Sequence, residues 1–400
     1  MKLFHNFTQG VLTSRDVWCY NASEAVLKSN MRKTIEFFNS EVQRIGAISR
    51  EGARDVVERN AALISWSRAL LNDAERGKLA TYAPEKLTVS AYRPFTKQWA
   101  YFDRRFNEMI YLTERLFPAP SVKNRYIMVS GTGARSGFTA LLCEDLPNFH
   151  TVDTGQCFPM KLFETSRPST SEDLFSENPS PNESVRDGIT DAGLKHFHEA
   201  YPGETITKED LFYYVYGLLH SEDYRAQYAD NLSKELPRIP RVKTAADFWA
   251  FCSAGRELGD LHVNYETVEP YPVTIKQGDL RLADIKNPEA FYRVTKWAFG
   301  KAGKEKDKTT VVYNANITMQ DIPLEAYDYV VNGKPALEWV MERQVVKTDK
   351  DSGIENDANR YAIETMNNPA YPLELFQRVI TVSLRTMEIV RGLPKLEVLA

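Results

Sequence analysis

The chain is 400 residues long, 43% hydrophobic and 12% aromatic, with a formal net charge of −4. That composition buries a sizeable core and excludes a disordered chain, while the negative total gives no global support to nucleic-acid binding. Apolar runs fall short of the roughly 18–20 residues of a membrane span and no signal pattern opens the chain, while Cys19, Cys143, Cys157 and Cys252 stand far apart, so the expected compartment is a reducing cytoplasm without zinc site or disulfide framework.

Residues 1–85 read as a helical lead-in. Tyr20-Asn-Ala-Ser23 leads into a helix from about Glu24 to Val42, with Val26, Met31, Ile35 and Phe38 on one face. Residues 50–79 are charged and helix-forming, with Ala61, Leu63, Ile64, Trp66, Leu70 and Leu71 as the apolar stripe. Residues 86–163 turn β-rich. Short β-branched or aromatic runs at Leu87–Phe95, Gln98–Phe102, Arg125–Val129, Phe138–Leu142 and Asn148–Val152 are separated by Pro, Asn, Asp and Gly, the pattern of an antiparallel or mixed sheet.

Residues 164–190, dominated by Ser, Pro, Glu and Asp, read as a flexible acidic surface loop. Residues 191–266 form a helical block. Thr207-Lys-Glu-Asp210 has the form of a capping box, and Leu211, Phe212, Val215, Tyr216, Leu218 and Leu219 behind it predict one buried face. Ser221 restarts the pattern, the prolines at 237 and 240 stop it, and Thr244-Ala-Ala-Asp247 opens another helix. Residues 267–400 read as a second β/α portion. Strands are expected at Val273–Lys276, Tyr292–Trp297, Thr309–Tyr313 and Asn316–Met319, a polar loop at 301–308, and helices at Ala336–Val345 and Leu373–Arg391, the last burying Val379, Val382, Leu384, Met387 and Val390. The class is α+β: a β-rich core, a central helical block, and helical N- and C-terminal segments.

Two motifs tempt. Gly131-Thr-Gly133-Ala-Arg-Ser-Gly137 follows a strand, but its spacing is one residue longer than the dinucleotide fingerprint and no crossover helix fits before Pro147. A β-connection carrying Arg135 fits better, and such a loop can reach a DNA groove. Asn368-Pro-Ala-Tyr371 resembles the catalytic N-P-P-Y run of amino-methyltransferases, yet follows a charged helix-like stretch rather than a hydrophobic strand, so turn chemistry explains it better. No phosphate-binding loop or nucleophile elbow is present, and no catalytic constellation assembles.

The stretches Leu211–Arg241 and Phe248–Glu266 resemble the C-terminal part of the Type ISP restriction-modification enzymes. Further similar blocks are Thr13-Ser-Arg-Asp16, Tyr20-Asn-Ala-Ser23, Tyr92-Arg-Pro-Phe95, Trp99-Ala-Tyr-Phe-Asp103 and Gln156-Cys-Phe-Pro159, so the resemblance runs from about Gly10 to Leu393. Those enzymes join a nuclease, an ATP-driven motor, an adenine methyltransferase and a target recognition domain. The resemblance implies that this chain is the last module, itself without catalytic residues or cofactor, beginning where a methyltransferase domain ends. It is then a fragment or split subunit, its partners duplex DNA and the methyltransferase. S-adenosylmethionine, ATP and magnesium belong to other domains.

Locally basic sequence supports that role. Between Tyr92 and Arg125, and again between Arg293 and Lys308, bases outnumber acids by four. Arginine can pair with guanine, asparagine or glutamine with adenine, and any basic residue with phosphate. The DNA-contact candidates are Arg93, Lys97, Arg104, Arg105, Lys123, Asn124, Arg125, Arg135 and Gln156, with Phe95, Trp99, Tyr101 and Phe106 read as core. Two rivals remain: a stand-alone nucleotide- or S-adenosylmethionine-dependent enzyme, and a protein-interaction scaffold.

Overall fold

A computed structural model describes residues 2–48, 53–165, 183–282 and 284–399. The fold is α+β, with several small antiparallel sheets among the helices. The chain forms two compact units, each assembled from separated stretches. The first comprises Met1–Gly10, Tyr111–Val263 and Glu388–Ala400, the second Val11–Ile110 and Asn264–Met387. The β-rich run of 86–163 is therefore divided between them.

The first unit is organised around the Lys208–His220 helix, started as its sequence predicts. The Thr207 hydroxyl accepts the Asp210 N–H at 3.1 Å, and the Asp210 carboxylate accepts the Thr207 N–H at 2.9 Å. Ser221 and Thr244 cap the Glu222–Gln227 and Ala245–Val263 helices in the same manner, accepting N–H groups at 3.2 and 3.1 Å. One buried face was expected; instead every residue from Leu211 to His220 is buried. The tyrosines make this possible, because their hydroxyls find backbone partners inside the unit. Tyr214 donates to the Pro240 carbonyl at 2.7 Å, and Tyr216 accepts the Leu142 N–H at 2.9 Å. Gly217 and Gly255 set the spacing to the Ala245–Val263 helix. A Cβ at Gly217 would lie 2.1 Å from the Phe251 carbonyl oxygen, and one at Gly255 1.9 Å from that of Tyr213.

An antiparallel sheet contributes Ile127, Val129, Ala140 and Leu142 to the same core. Its order is Thr8–Gln9, Gln156–Pro159, Tyr126–Val129, Ala140–Cys143. The strand expected at Asn148–Val152 is a turn, because the Asn148 side chain accepts the His150 N–H and its carbonyl accepts that of Thr151. Both ends of the acidic loop expected over 164–190 are secondary structure. Lys161–Thr165 and Glu183–Asp187 pair antiparallel, and the Asp191–Ala200 helix starts on a Thr190 cap. Residues 166–182 lie outside the described residues.

Two buried histidines flank Tyr216. Its hydroxyl shares a hydrogen bond with His262 Nδ1 at 2.6 Å, while its carbonyl accepts from His220 Nδ1 at 2.9 Å. His220 Nε2 is then bare and has no partner among the described residues. Burial pushes His262 down to about 3 and His220 well below the ordinary value. Both stay neutral in the fold but take a proton in the unfolded chain below about pH 6.5. Their contribution is thus fully present above that pH and is lost as pH falls towards the folded values. Between about pH 6 and 4 His262 should remove about 1.4 kcal/mol of stability per pH unit, and His220 acts in the same direction. Urea titrations across that range should find the slope reduced by about one proton in His262→Gln; an unchanged slope would place the titration elsewhere.

In the second unit, Leu87–Arg93 and Thr96–Tyr101 form a hairpin, with Tyr20–Asn21 paired to the second strand. Its turn places Phe95 at φ 52°, and the buried ring packs edge-on against Tyr265 and Tyr329. The Glu24–Ile48 helix runs past its expected end and buries Leu27, Met31, Ile35, Phe38 and Val42. The helical stretch expected over 50–79 reduces to Ala53–Val56 and Arg68–Glu75. Between them Asn60 captures the Ala62 and Leu63 N–H groups, and Ala61 is exposed.

Tyr292–Trp297 is not a strand. Asn287 caps the short Pro288–Tyr292 helix, and the Val294 N–H and C=O both pair with the buried Asn359 amide at 2.9 and 2.8 Å. The polar hairpin loop expected at 301–308 is mostly strand: Ala298–Ala302 pairs with Glu305–Val312, and the turn is confined to the residues around Gly303, at φ 66°. Asn368 accepts the Ala370 N–H on its side chain and the Tyr371 N–H on its carbonyl, so the Asn-Pro-Ala-Tyr run starts the Tyr371–Arg391 helix. That helix buries Leu375, Phe376, Val379, Ile380 and Val382, whereas Leu384, Met387 and Val390 are only half-buried.

Candidate nucleic-acid interface

The nine candidates fall in both units. In the first, Lys123, Asn124 and Arg125 precede the Tyr126–Val129 strand, while Arg135 lies beyond its far end. Gln156 faces Val129 across the sheet, at the Arg135 end. Asn124 is buried. Its amide donates to the carbonyls of Leu116 at 3.2 Å and Lys161 at 2.9 Å, and its oxygen accepts the Lys161 N–H at 3.3 Å. Arg125 donates to the Tyr213 hydroxyl and pairs with Asp260 at 2.7 Å. Burial opposes its charge, but these two partners outweigh it and hold the guanidinium above the ordinary arginine value. Lys123 is exposed and pairs with Asp145.

Arg135 occupies the glycine run, which joins two antiparallel strands rather than a strand and a helix. Gly133 and Gly137, both at φ 77°, let the loop bend back on itself. Main-chain groups hold it. The Gly131 N–H donates to the Asp153 carbonyl at 2.9 Å, the Arg135 N–H to the Asp153 carboxylate at 2.8 Å, and the Gly133 N–H to the Ser233 carbonyl at 3.2 Å. The Arg135 side chain is exposed, and its guanidinium has no hydrogen-bond or ion-pair partner among the described residues. Gln156 is buried below, its Oε1 unpaired among the described residues.

In the second unit, Arg93 donates to the Tyr92 carbonyl at 2.6 Å, pairs with Asp16 at 3.4 Å and lies over the Tyr92 ring. Lys97 pairs with Glu266 at 2.8 Å, above the Tyr265 ring. Arg105 pairs with Asp73 at 3.1 Å and donates to the Leu79 carbonyl; Arg104 is exposed. Phe95, Tyr101 and Phe106 are buried, as expected of core aromatics, and Trp99 donates to Thr365 at 2.9 Å.

The arrangement thus separates two kinds of candidate. Asn124 and Gln156 are buried, and Arg93, Lys97, Arg105 and Arg125 are half-buried and engaged within their own unit, whereas Arg104, Lys123 and Arg135 are exposed, Lys123 while paired with Asp145. Sequence reasoning passed over Ser233, which with Asp153 aims the Arg135 loop, and Arg343 and Lys347, which line a cavity of the second unit. Among the described residues, no group of three or more His, Cys, Asp or Glu is placed to hold a metal ion, and no helix is long and apolar enough to cross a membrane.

No curated protein matches the chain. Among solved structures of similar fold is a nuclease-deletion mutant of the Type ISP restriction-modification enzyme LlaGI in complex with a DNA substrate mimic, at TM-score 0.83 and 34% identity, covering 100% of this chain and 34% of that one. Another is the ATP-dependent Type ISP restriction-modification enzyme LlaBIII bound to DNA, at TM-score 0.83 and 31% identity, covering 100% of this chain and 24% of that one. A DrdV–DNA complex gives TM-score 0.81 and 29% identity, over 99% of this chain and 36% of that one. The chain therefore spans between about a quarter and just over a third of those chains. The family model of the Type ISP C-terminal specificity domain matches residues 2–375, and the chain belongs to that family.

Proposed function

We propose that this chain binds a short asymmetric duplex sequence and, as the target recognition module of a Type ISP-like restriction-modification enzyme, positions an adjoining adenine methyltransferase. The observation that carries the reading is the Arg135 loop: its backbone is fixed at three points while its guanidinium has no partner among the described residues. An arginine presented in this way suits the N7 and O6 acceptors of guanine in the major groove. Lys123 and Arg104, both exposed, suit phosphate contacts that set orientation without reading sequence. Family membership supports the same role. In this reading S-adenosylmethionine, ATP and magnesium act in other domains of the parent polypeptide, the target adenine is extruded by the methyltransferase, and the enzyme works in the cytoplasm.

The test is selection of a randomised duplex pool by the chain at two salt concentrations, with sequencing of the bound fraction. An enriched asymmetric motif that persists at higher salt is the expected result, since phosphate contacts weaken steeply with salt. Arg135→Ala should then cost about 1–3 kcal/mol on the selected duplex and relax one position of the motif. Failure to bind any duplex, together with a thermal shift on adding a nucleotide or S-adenosylmethionine, would favour the enzyme reading instead.

A further inference from the structure

The second unit contains a cavity of about 270 Å³ that the sequence candidates barely touch. Arg343, Lys347, Gln98 and Asn356 line it, with Tyr92 on the wall that carries Arg93. The cations arrive from separate stretches. Arg93 ends a strand of the Leu87–Tyr101 hairpin, Arg343 ends the Ala336–Arg343 helix, and Lys347 lies in the Val346–Thr348 strand that follows.

Their partners leave capacity unused. Arg343 pairs with Glu342 at 2.7 Å and lies over the Trp339 ring, but its buried Nε has no partner among the described residues. Lys347 is exposed and has neither an ion pair nor a hydrogen bond from its ammonium among the described residues. Asp16 and Asp349 also line the cavity, and these acids and Glu342 beside it are engaged. Asp16 accepts from Thr13 and pairs with Arg93, Asp349 accepts the Ser352 N–H and hydroxyl at 2.9 and 2.8 Å, and Glu342 is shared between Lys334 and Arg343. Burial first, and then Arg93, hold Arg343 below its ordinary value; burial, Arg343, Lys334 and Arg93 do the same to Lys347, while Glu342 acts the other way on both. Cations that oppose one another's protonation sit in a positive potential, which a bound anion relieves.

We propose that this cavity takes a backbone phosphodiester of the DNA duplex, with Lys347 as its exposed charge and Arg343 as its buried donor. The proposal rests on the duplex-binding reading and gives it a phosphate contact on the second unit. Arginine supplies a directed N–H, lysine a mobile point charge, and a phosphate accepts from both.

The salt dependence of duplex affinity tests it, measured by anisotropy on the full chain and on Lys347→Gln, Lys347→Arg and Lys195→Gln. Each neutralised phosphate contributes about 0.9 to the slope of log affinity against log salt. The expected result is a slope lower by about 1 in Lys347→Gln, retained in Lys347→Arg and in the surface control Lys195→Gln. Thermal shifts with inorganic phosphate form the second arm: phosphate should stabilise the parent chain and not Lys347→Gln. Duplex binding with an unchanged slope in Lys347→Gln overturns the proposal while leaving duplex recognition standing. No duplex binding by the parent, with a phosphate shift that Lys347→Gln abolishes, overturns the duplex as the source of the anion. The absence of both duplex binding and phosphate shift overturns both readings.

Discussion

Gly255→Ala should destabilise the first unit by about 3 kcal/mol, the upper end of what overpacking does. The added methyl would lie 1.9 Å from the Tyr213 carbonyl oxygen and 2.8 Å from the Gly217 nitrogen, both main-chain atoms that no rotamer change can move aside. The two helices must therefore separate, and the stacked Tyr214 and Phe248 rings, 4.7 Å apart, separate with them. Helix propensity works the other way, since alanine is favoured over glycine by about 1 kcal/mol. A gain in stability would show that the crossing yields easily. Urea unfolding of parent and variant decides this. The neighbouring Gly259→Ala is the comparison: its Cβ would be 3.1 Å from the Tyr213 ring and 3.2 Å from a Leu142 methyl, side-chain atoms at longer distances than the main-chain atoms facing Gly255, so its loss should be smaller.

Asn124→Ala should lower stability by about 2–4 kcal/mol, because it strands the Lys161 N–H and C=O and the Leu116 carbonyl in a buried site. That outcome separates Asn124 from Arg135, with which it shares the candidate interface. Arg135→Ala should leave stability within about 0.5 kcal/mol, as exposed positions do, and act on duplex affinity alone. Measuring both properties on both variants distinguishes a residue that builds the domain from one that reads DNA. Asn124→Ala with parental stability and reduced affinity would restore it to the reading surface.

Local signals were legible in the sequence. The caps at Thr207, Ser221 and Thr244 and the proline stop after Leu236 specify short-range hydrogen bonds, and the structure makes them. The misread pieces have equally specific causes. Val294 has its backbone bonds satisfied by Asn359, sixty-five positions away in sequence, so a run of β-formers never becomes a strand. The Asn332-Gly333 pair, both residues at positive φ, marks a tight hairpin that no strand-sized apolar run advertised. For the candidate site, residue types were readable but engagement was not. Lys97 meets Glu266 because the second unit joins two stretches separated in sequence by residues 111–263, and Arg93 meets Asp16 across seventy-seven positions of one stretch.

The Arg135 loop has one further property. Its path is set by Gly131, where a Cβ would be 2.2 Å from the Thr154 hydroxyl, by the two glycines at positive φ, and by bonds from backbone N–H groups to Asp153 and Ser233. None of these determinants involves the side chain of Thr132, Ala134 or Arg135. The tip is thus interchangeable while its socket is fixed, so substitutions at these three positions can accumulate without a folding penalty. On the proposed reading, a lineage of such domains acquires new targets by redrafting a few letters at the tip, and selection on those letters is uncoupled from selection on the core.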